Sequence, residues 1–200
     1  MSSWMYQFLI VGLTFFSTAP LSQPDKDDQP GVLNVHIRDY CDPVTFAAIG
    51  CVRTVTPVSS GVITFSGFNA ELGADKSVGA WRFVPDRANA DEGLGLMLQN
   101  LGGETHTFTR VREFGGGFVA PLNAASGNPV PAPECAQTVN GQLVPQPPSP
   151  DNIFLDGNAS ATGPLVPERE TAKFQCCIHP WMRMTVNAKK DKTQNEGHDR

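Results

Sequence analysis

The chain is short of charge, of helix-forming pattern and of basic clusters, and each shortage excludes a class of function. Charged residues make up 18% of 200 positions and the formal net charge is -5. The segment from Asn187 onward holds four basic and three acidic residues, so the remainder carries 11 basic against 17 acidic side chains, or -6. An acidic body repels phosphates, which argues against nucleic acid as a partner. With no polybasic run there is no membrane-surface signature either. Gly-Lys-Ser and Gly-Lys-Thr are missing after the Gly-rich FGGGF at Phe114 to Phe118, and no G-x-G-x-x-G opens a helix, so that stretch reads as a turn rather than a phosphate cradle. Ser126 and Ser149 sit in Pro/Gly loops with no nucleophile-elbow context, and paired-carboxylate hydrolysis has no motif. The expectation is a protein that is not an enzyme.

The N-terminus lacks charge altogether before Asp25, and Trp4 to Phe16 are mostly apolar. This describes a secretory h-region, so residues 1–22 are read as a signal peptide, although it lacks the usual Lys or Arg and Pro20 and Pro24 obscure the cleavage point. A buried N-terminal helix or an uncleaved anchor are the alternatives. Gln23 to Gly31 then form a polar linker bounded by prolines. The expected location is periplasmic or extracellular.

No internal repeat and no long amphipathic helix appear, while strand and turn signals alternate. VLNVHIR puts Leu33, Val35 and Ile37 on one face and His36 on the solvent side, where it has no ligand-spaced neighbour. GVITFSGF is rich in β-branched and aromatic residues and is expected to be a strand, followed by a short helix or loop in FNAELGADKS. GAWRFVP turns Trp81 and Phe83 inward, and Pro85 ends it. LGLMLQN aligns Leu94, Leu96 and Leu98, and THTFTRVREF follows the NLGGE turn as a hairpin or sheet-crossing partner. From Pro121 to Pro167 the chain is dense in Pro, Gly, Asn and Ser and reads as largely irregular; Asn158-Ala-Ser within it matches a glycosylation sequon. KFQCCIH and RMTVNA are the last strands. The predicted fold is all-β, a Greek-key β-sandwich of antiparallel sheets over residues 32–188, with a loop insertion at 115–167 and a disordered charged tail at 189–200.

What is present in quantity is soft-metal chemistry, concentrated in FQCCIHPWMRMTV. Cys176, His179 and Met182 follow the order C-x-x-H-x-x-M, a thiolate, an imidazole and a thioether in seven residues. A type 1 copper centre takes one Cys, two His and a weak axial Met. The missing imidazole is best supplied by His106, at the head of THTFTRV. An isolated His there would more often be a satisfied core residue. N-x5-H followed by F-x-C-x-x-H-P-W-M resembles the copper signature of the cupredoxins, with a short loop similar to that of amicyanin. The resemblance spans roughly Val32 to Ala188 and implies the β-sandwich, one copper ion, and His106, Cys176, His179 and Met182 as its ligands. It departs from the small family members in the 69 residues between His106 and Cys176.

Within that resemblance, Thr107 is placed to donate its backbone N–H to the Cys176 sulfur, and Pro180 and Trp181 to form an apolar patch where a redox partner docks. Ordinary core packing is the competing account of Trp181. Adjacent strand residues face opposite ways, so Cys176 and Cys177 cannot both face the metal. The ligand spacing selects Cys176, Cys177 is then free to pair with Cys135, and Cys41 pairs with Cys51; three free thiols would be the arrangement in a cytosolic protein. Four histidines with no His-x-His pair exclude an oxygen-reducing multicopper enzyme. Two functions remain, an exported single-electron carrier and a copper-holding or copper-delivery domain, with a zinc site from Cys135, Cys176 or Cys177 and His179 as a distant third.

Overall fold

A computed structural model describes residues 31–52, 62–168 and 170–189. The expected signal peptide, most of the linker, and the tail beyond Lys189 lie outside the described residues. Among the described residues no helix is long and apolar enough to cross a membrane.

The described residues begin with β1 (Val32–Arg38) and α1 (Phe65–Asp75), followed by β2 (Arg82–Val84), β3 (Arg87–Asp91), β4 (Gly95–Asn100) and β5 (His106–Val111). A one-and-a-half-turn helix, α2 (Ala120–Ala125), precedes β6 (Ala136–Val139), β7 (Gln142–Pro145), β8 (Asn152–Leu155), β9 (Ser160–Leu165), β10 (Thr171–Gln175) and β11 (Arg183–Lys189). Two sheets result, with strand orders β2-β1-β4-β9 and β3-β11-β10-β5-β8, and β6 with β7 makes a separate hairpin. The sheets face each other across a shared core. Val35, Ile37, Phe83, Leu96 and Leu98 come from the first, and Phe108, Phe174, Met184 and Val186 from the second, all buried. The rings of Phe83 and Phe108 meet across the layers at 5.2 Å. The all-β sandwich expected from the strand signals is therefore present.

Three details differ from expectation. The sheets are mixed rather than antiparallel, since β1 pairs parallel with β4 and β11 parallel with β3. GVITFSGF is not a strand: Ile63 makes a single bridge to Cys41 and a helix starts at Phe65. The Thr64 hydroxyl accepts the Gly67 N–H at 3.2 Å, an N-cap that ends the extended chain before its apolar residues can pair. Phe68 and Leu72, one turn apart, are the buried face of that helix. The Pro/Gly-rich 115–167 stretch is not a loop insertion throughout, because β8 and β9 within it are the outer strands beside β5 and β4. At the start of β8 the Asn152 side-chain amide donates to the Gln146 and Pro147 carbonyls.

Candidate metal centre

The centre lies where β5 starts and β10 ends. These strands pair antiparallel, and β10 pairs in turn with β11, so the seven residues from Cys176 to Met182 form a closed loop between two central strands. Backbone bonds lock it: Cys176 N–H donates to the Met182 carbonyl at 3.0 Å and Met182 N–H to the His179 carbonyl at 2.9 Å. One ligand atom each from His106, Cys176 and His179 lies within 4.8 Å of the others, and all three side chains are buried. The sequence-predicted imidazole–thiolate–imidazole group is thus assembled. Met182 closes the loop, 1% exposed in the same core cluster. His36, half-buried on β1, stands apart from this group.

Both rings turn Nδ1 toward sulfur, His106 at 3.7 Å and His179 at 3.9 Å from Cys176 Sγ. One ion bonded at about 2.0 Å to nitrogen and about 2.3 Å to thiolate, with those bonds opened to roughly 120°, separates N from S by about 3.7 Å. The donor spacing and the soft, mixed N/S donor set therefore fit one type 1 copper ion. The sulfur also accepts two backbone N–H groups at 3.4 Å, from Thr107 as expected and from His179. Such bonds spread the thiolate's charge and fix its direction.

The electrostatics agree with a thiolate. Burial alone pushes the Cys176 thiol up, but hydrogen bonds and charge from His106 and His179 outweigh it and hold the group well below its ordinary value. Burial opposes charge on His106 too, yet its bond to Asp39 and its contact with Cys176 raise it to about 10.

Four functional neighbours were not legible in the sequence. Asp39, at the end of β1, meets His106, and Glu104, two residues before His106, meets His179. Phe68 and Trp81 wall the His179 ring, each with its ring centre 6.4 Å away. Contacts such as Asp39 to His106 join residues 67 positions apart, and no spacing rule announces them. The only available signal was the burial implied for Trp81 by its strand alternation.

Both expected disulfides are present, Cys41–Cys51 and Cys135–Cys177, and Cys176 is the free cysteine. With Cys135 and Cys177 bonded to each other, a zinc site using either of them is ruled out. Two disulfides fit an oxidising compartment. The two residues expected to form a docking patch are placed differently. Pro180 is buried, whereas Trp181 is half-exposed and packs edge-on against His179 at 5.4 Å.

No protein-family model and no curated protein sequence matches the chain. Among solved structures it is similar to a purple cupredoxin from Nitrosopumilus maritimus, at 12% identity and a TM-score of 0.37 over 78% of this chain and 99% of that one. It is similar to oxidised plastocyanin from Dryopteris crassirhizoma, at 16% identity and 0.34 over the same shares. Dithionite-reduced auracyanin from Roseiflexus castenholzii shows 16% identity and 0.31 over 54% of this chain and 87% of that one.

Proposed function

We propose that the chain is an exported single-electron carrier, with His106, Cys176 and His179 holding a type 1 copper ion and Met182 as the weak fourth donor. The observation that carries this is the buried Nδ1–Sγ–Nδ1 group at 3.7 and 3.9 Å. Copper, when bound, supplies a one-electron couple. The protein's part is to hold the donors still. His106 belongs to a strand, Cys176 adjoins one, and the loop carrying His179 and Met182 is closed by backbone bonds, so little can rearrange when charge changes. Burial keeps water and competing oxygen donors from the thiolate.

The same reading puts partner docking at Trp181, whose half-exposed ring packs against His179, rather than at buried Pro180. Export accounts for two disulfides in a chain of this size. The deciding experiment is a titration of the metal-free protein with Cu(II), followed in the visible range. An intense blue, green or purple band at one equivalent is expected. A pale complex retaining only Cu(I) would replace the carrier with a holding or delivery domain. Met182→Gln tests the fourth donor: copper should stay bound while the potential falls, because an amide oxygen is harder than a thioether and favours Cu(II).

A further inference from the structure

Each imidazole of the donor group turns its second nitrogen onto a buried carboxylate. Asp39 Oδ2 lies 2.9 Å from His106 Nε2, with both side chains fully buried. Its direction is fixed by the backbone, since Oδ1 accepts the N–H of Gly103 at 2.9 Å and of Cys41 at 3.3 Å, and Oδ2 accepts that of Glu104 at 3.1 Å. A side chain at Gly102 would overlap the same carboxyl group, so the turn leaves space for Asp39 alone. On the other ring, Glu104 Oε2 lies 3.7 Å from His179 Nε2 and accepts the indole N–H of Trp81. At hydrogen-bond distance an ionised Asp39 only accepts, so His106 Nε2 is the nitrogen that donates to it and Nδ1 is the one left to face Cys176.

We infer that Asp39 and Glu104 are positioning residues of the metal centre, one buried carboxylate behind each imidazole, fixing ring and tautomer and favouring the more positive state of the bound ion. The redox half rests on the copper reading; the orientation half does not. A buried negative charge stabilises the oxidised centre more than the reduced one because the former carries one more positive charge. Asp39, at hydrogen-bond distance, should act more strongly than Glu104 at 3.7 Å.

The test uses full-length Asp39→Asn and Glu104→Gln with Zn(II) as a redox-silent probe and copper for potentials, at mildly alkaline pH. Asp39→Asn should weaken Zn(II) binding by roughly 10- to 100-fold. It should also shift the copper couple toward Cu(I) by about tenfold, or 59 mV upward for one electron. Glu104→Gln, which keeps an acceptor for Trp81, should move both in the same direction by less, and it decides the matter if Asp39→Asn does not fold. Nitrogen-correlated NMR of the Zn(II) form should show a protected Nε2–H on His106 that is lost or displaced in Asp39→Asn. Unchanged Zn(II) affinity and potential in both variants, or ligation of Zn(II) through Nε2, would overturn the inference. A protected Nε2–H with no coloured copper complex would instead defeat the copper reading and leave the positioning role standing.

Discussion

Cys176 and Cys177 are neighbours with the same side chain, yet just past the end of β10 they fall in two different packing clusters and two different chemistries. Cys176 shares the main core with Phe108, Phe174 and Met182, while Cys177 packs with Val111, Ala132 and Cys135 in a small second cluster. In the main core the thiol meets two imidazoles and two backbone N–H groups, which favour a thiolate. In the second cluster it meets another cysteine and becomes a staple for the segment before β6. Thr107 touches both: its N–H donates to Cys176 Sγ and its hydroxyl accepts the Cys177 N–H at 2.7 Å. Local geometry alone can thus assign a metal role and a structural role to identical adjacent residues.

Exchanging each cysteine for serine breaks the comparison most sharply. Cys176→Ser should abolish the visible copper band, because a hydroxyl is neither the soft donor nor the chromophore. Cys177→Ser should keep the band and lower stability by about 2–4 kcal/mol through loss of the disulfide, read by denaturant unfolding. A colourless Cys177→Ser protein with a coloured Cys176→Ser protein would reverse that assignment. Next in size is Gly117→Ala. A Cβ there would overlap the Cys177 carbonyl, whose oxygen also accepts the Phe118 N–H at 2.9 Å. Backbone cannot step aside as a flexible side chain can, so a loss of about 1–3 kcal/mol is expected, with the copper spectrum retained. A shifted spectrum in that variant would mean that strain in the second cluster reaches the thiolate.

Thr107→Val is a finer cut. It leaves the N–H to Cys176 Sγ in place and removes the acceptor of a buried Cys177 N–H, at a cost of about 1–3 kcal/mol. Little change in the absorption maximum is expected, and a large one would show that the hydroxyl helps orient the thiolate.

How far the sequence could be read follows from how local each determinant is. Cys176 and His179 lie within one loop, so spacing announced them, and His106 needed only a strand start and an empty ligand place. The Cys176–Cys177 division followed from alternation. GVITFSGF misled because its β-branched residues outweighed Thr64, whose capping bond starts a helix instead. β3, RANAD, is poor in β-formers and exists because it pairs parallel with β11, a contact between residues about a hundred positions apart. β9 carries Gly163 and Pro164 and still serves as an outer strand, where a missing N–H can face away from the ladder. The carboxylates behind the imidazoles come from turns joined only by the fold.

The smallest expected change concerns Trp181, on the main-core side of the comparison. Its buried indole N–H has no hydrogen-bond partner among the described residues, and the ring packs against His179 and Phe68. Trp181→Phe removes an unsatisfied donor as well as some apolar area, two effects of opposite sign, and stability should move by no more than about 1 kcal/mol. The copper spectrum should not move, because residue 181 contributes no ligand. Electron exchange separates the docking account from simple core filling. Trp181→Asp places a charge where an apolar partner surface would have to be desolvated, and slower self-exchange with an unchanged spectrum is expected, while Trp181→Phe should exchange nearly as fast as the parent. Equal exchange rates in all three proteins would remove Trp181 from the docking surface and leave it as a wall of the metal pocket.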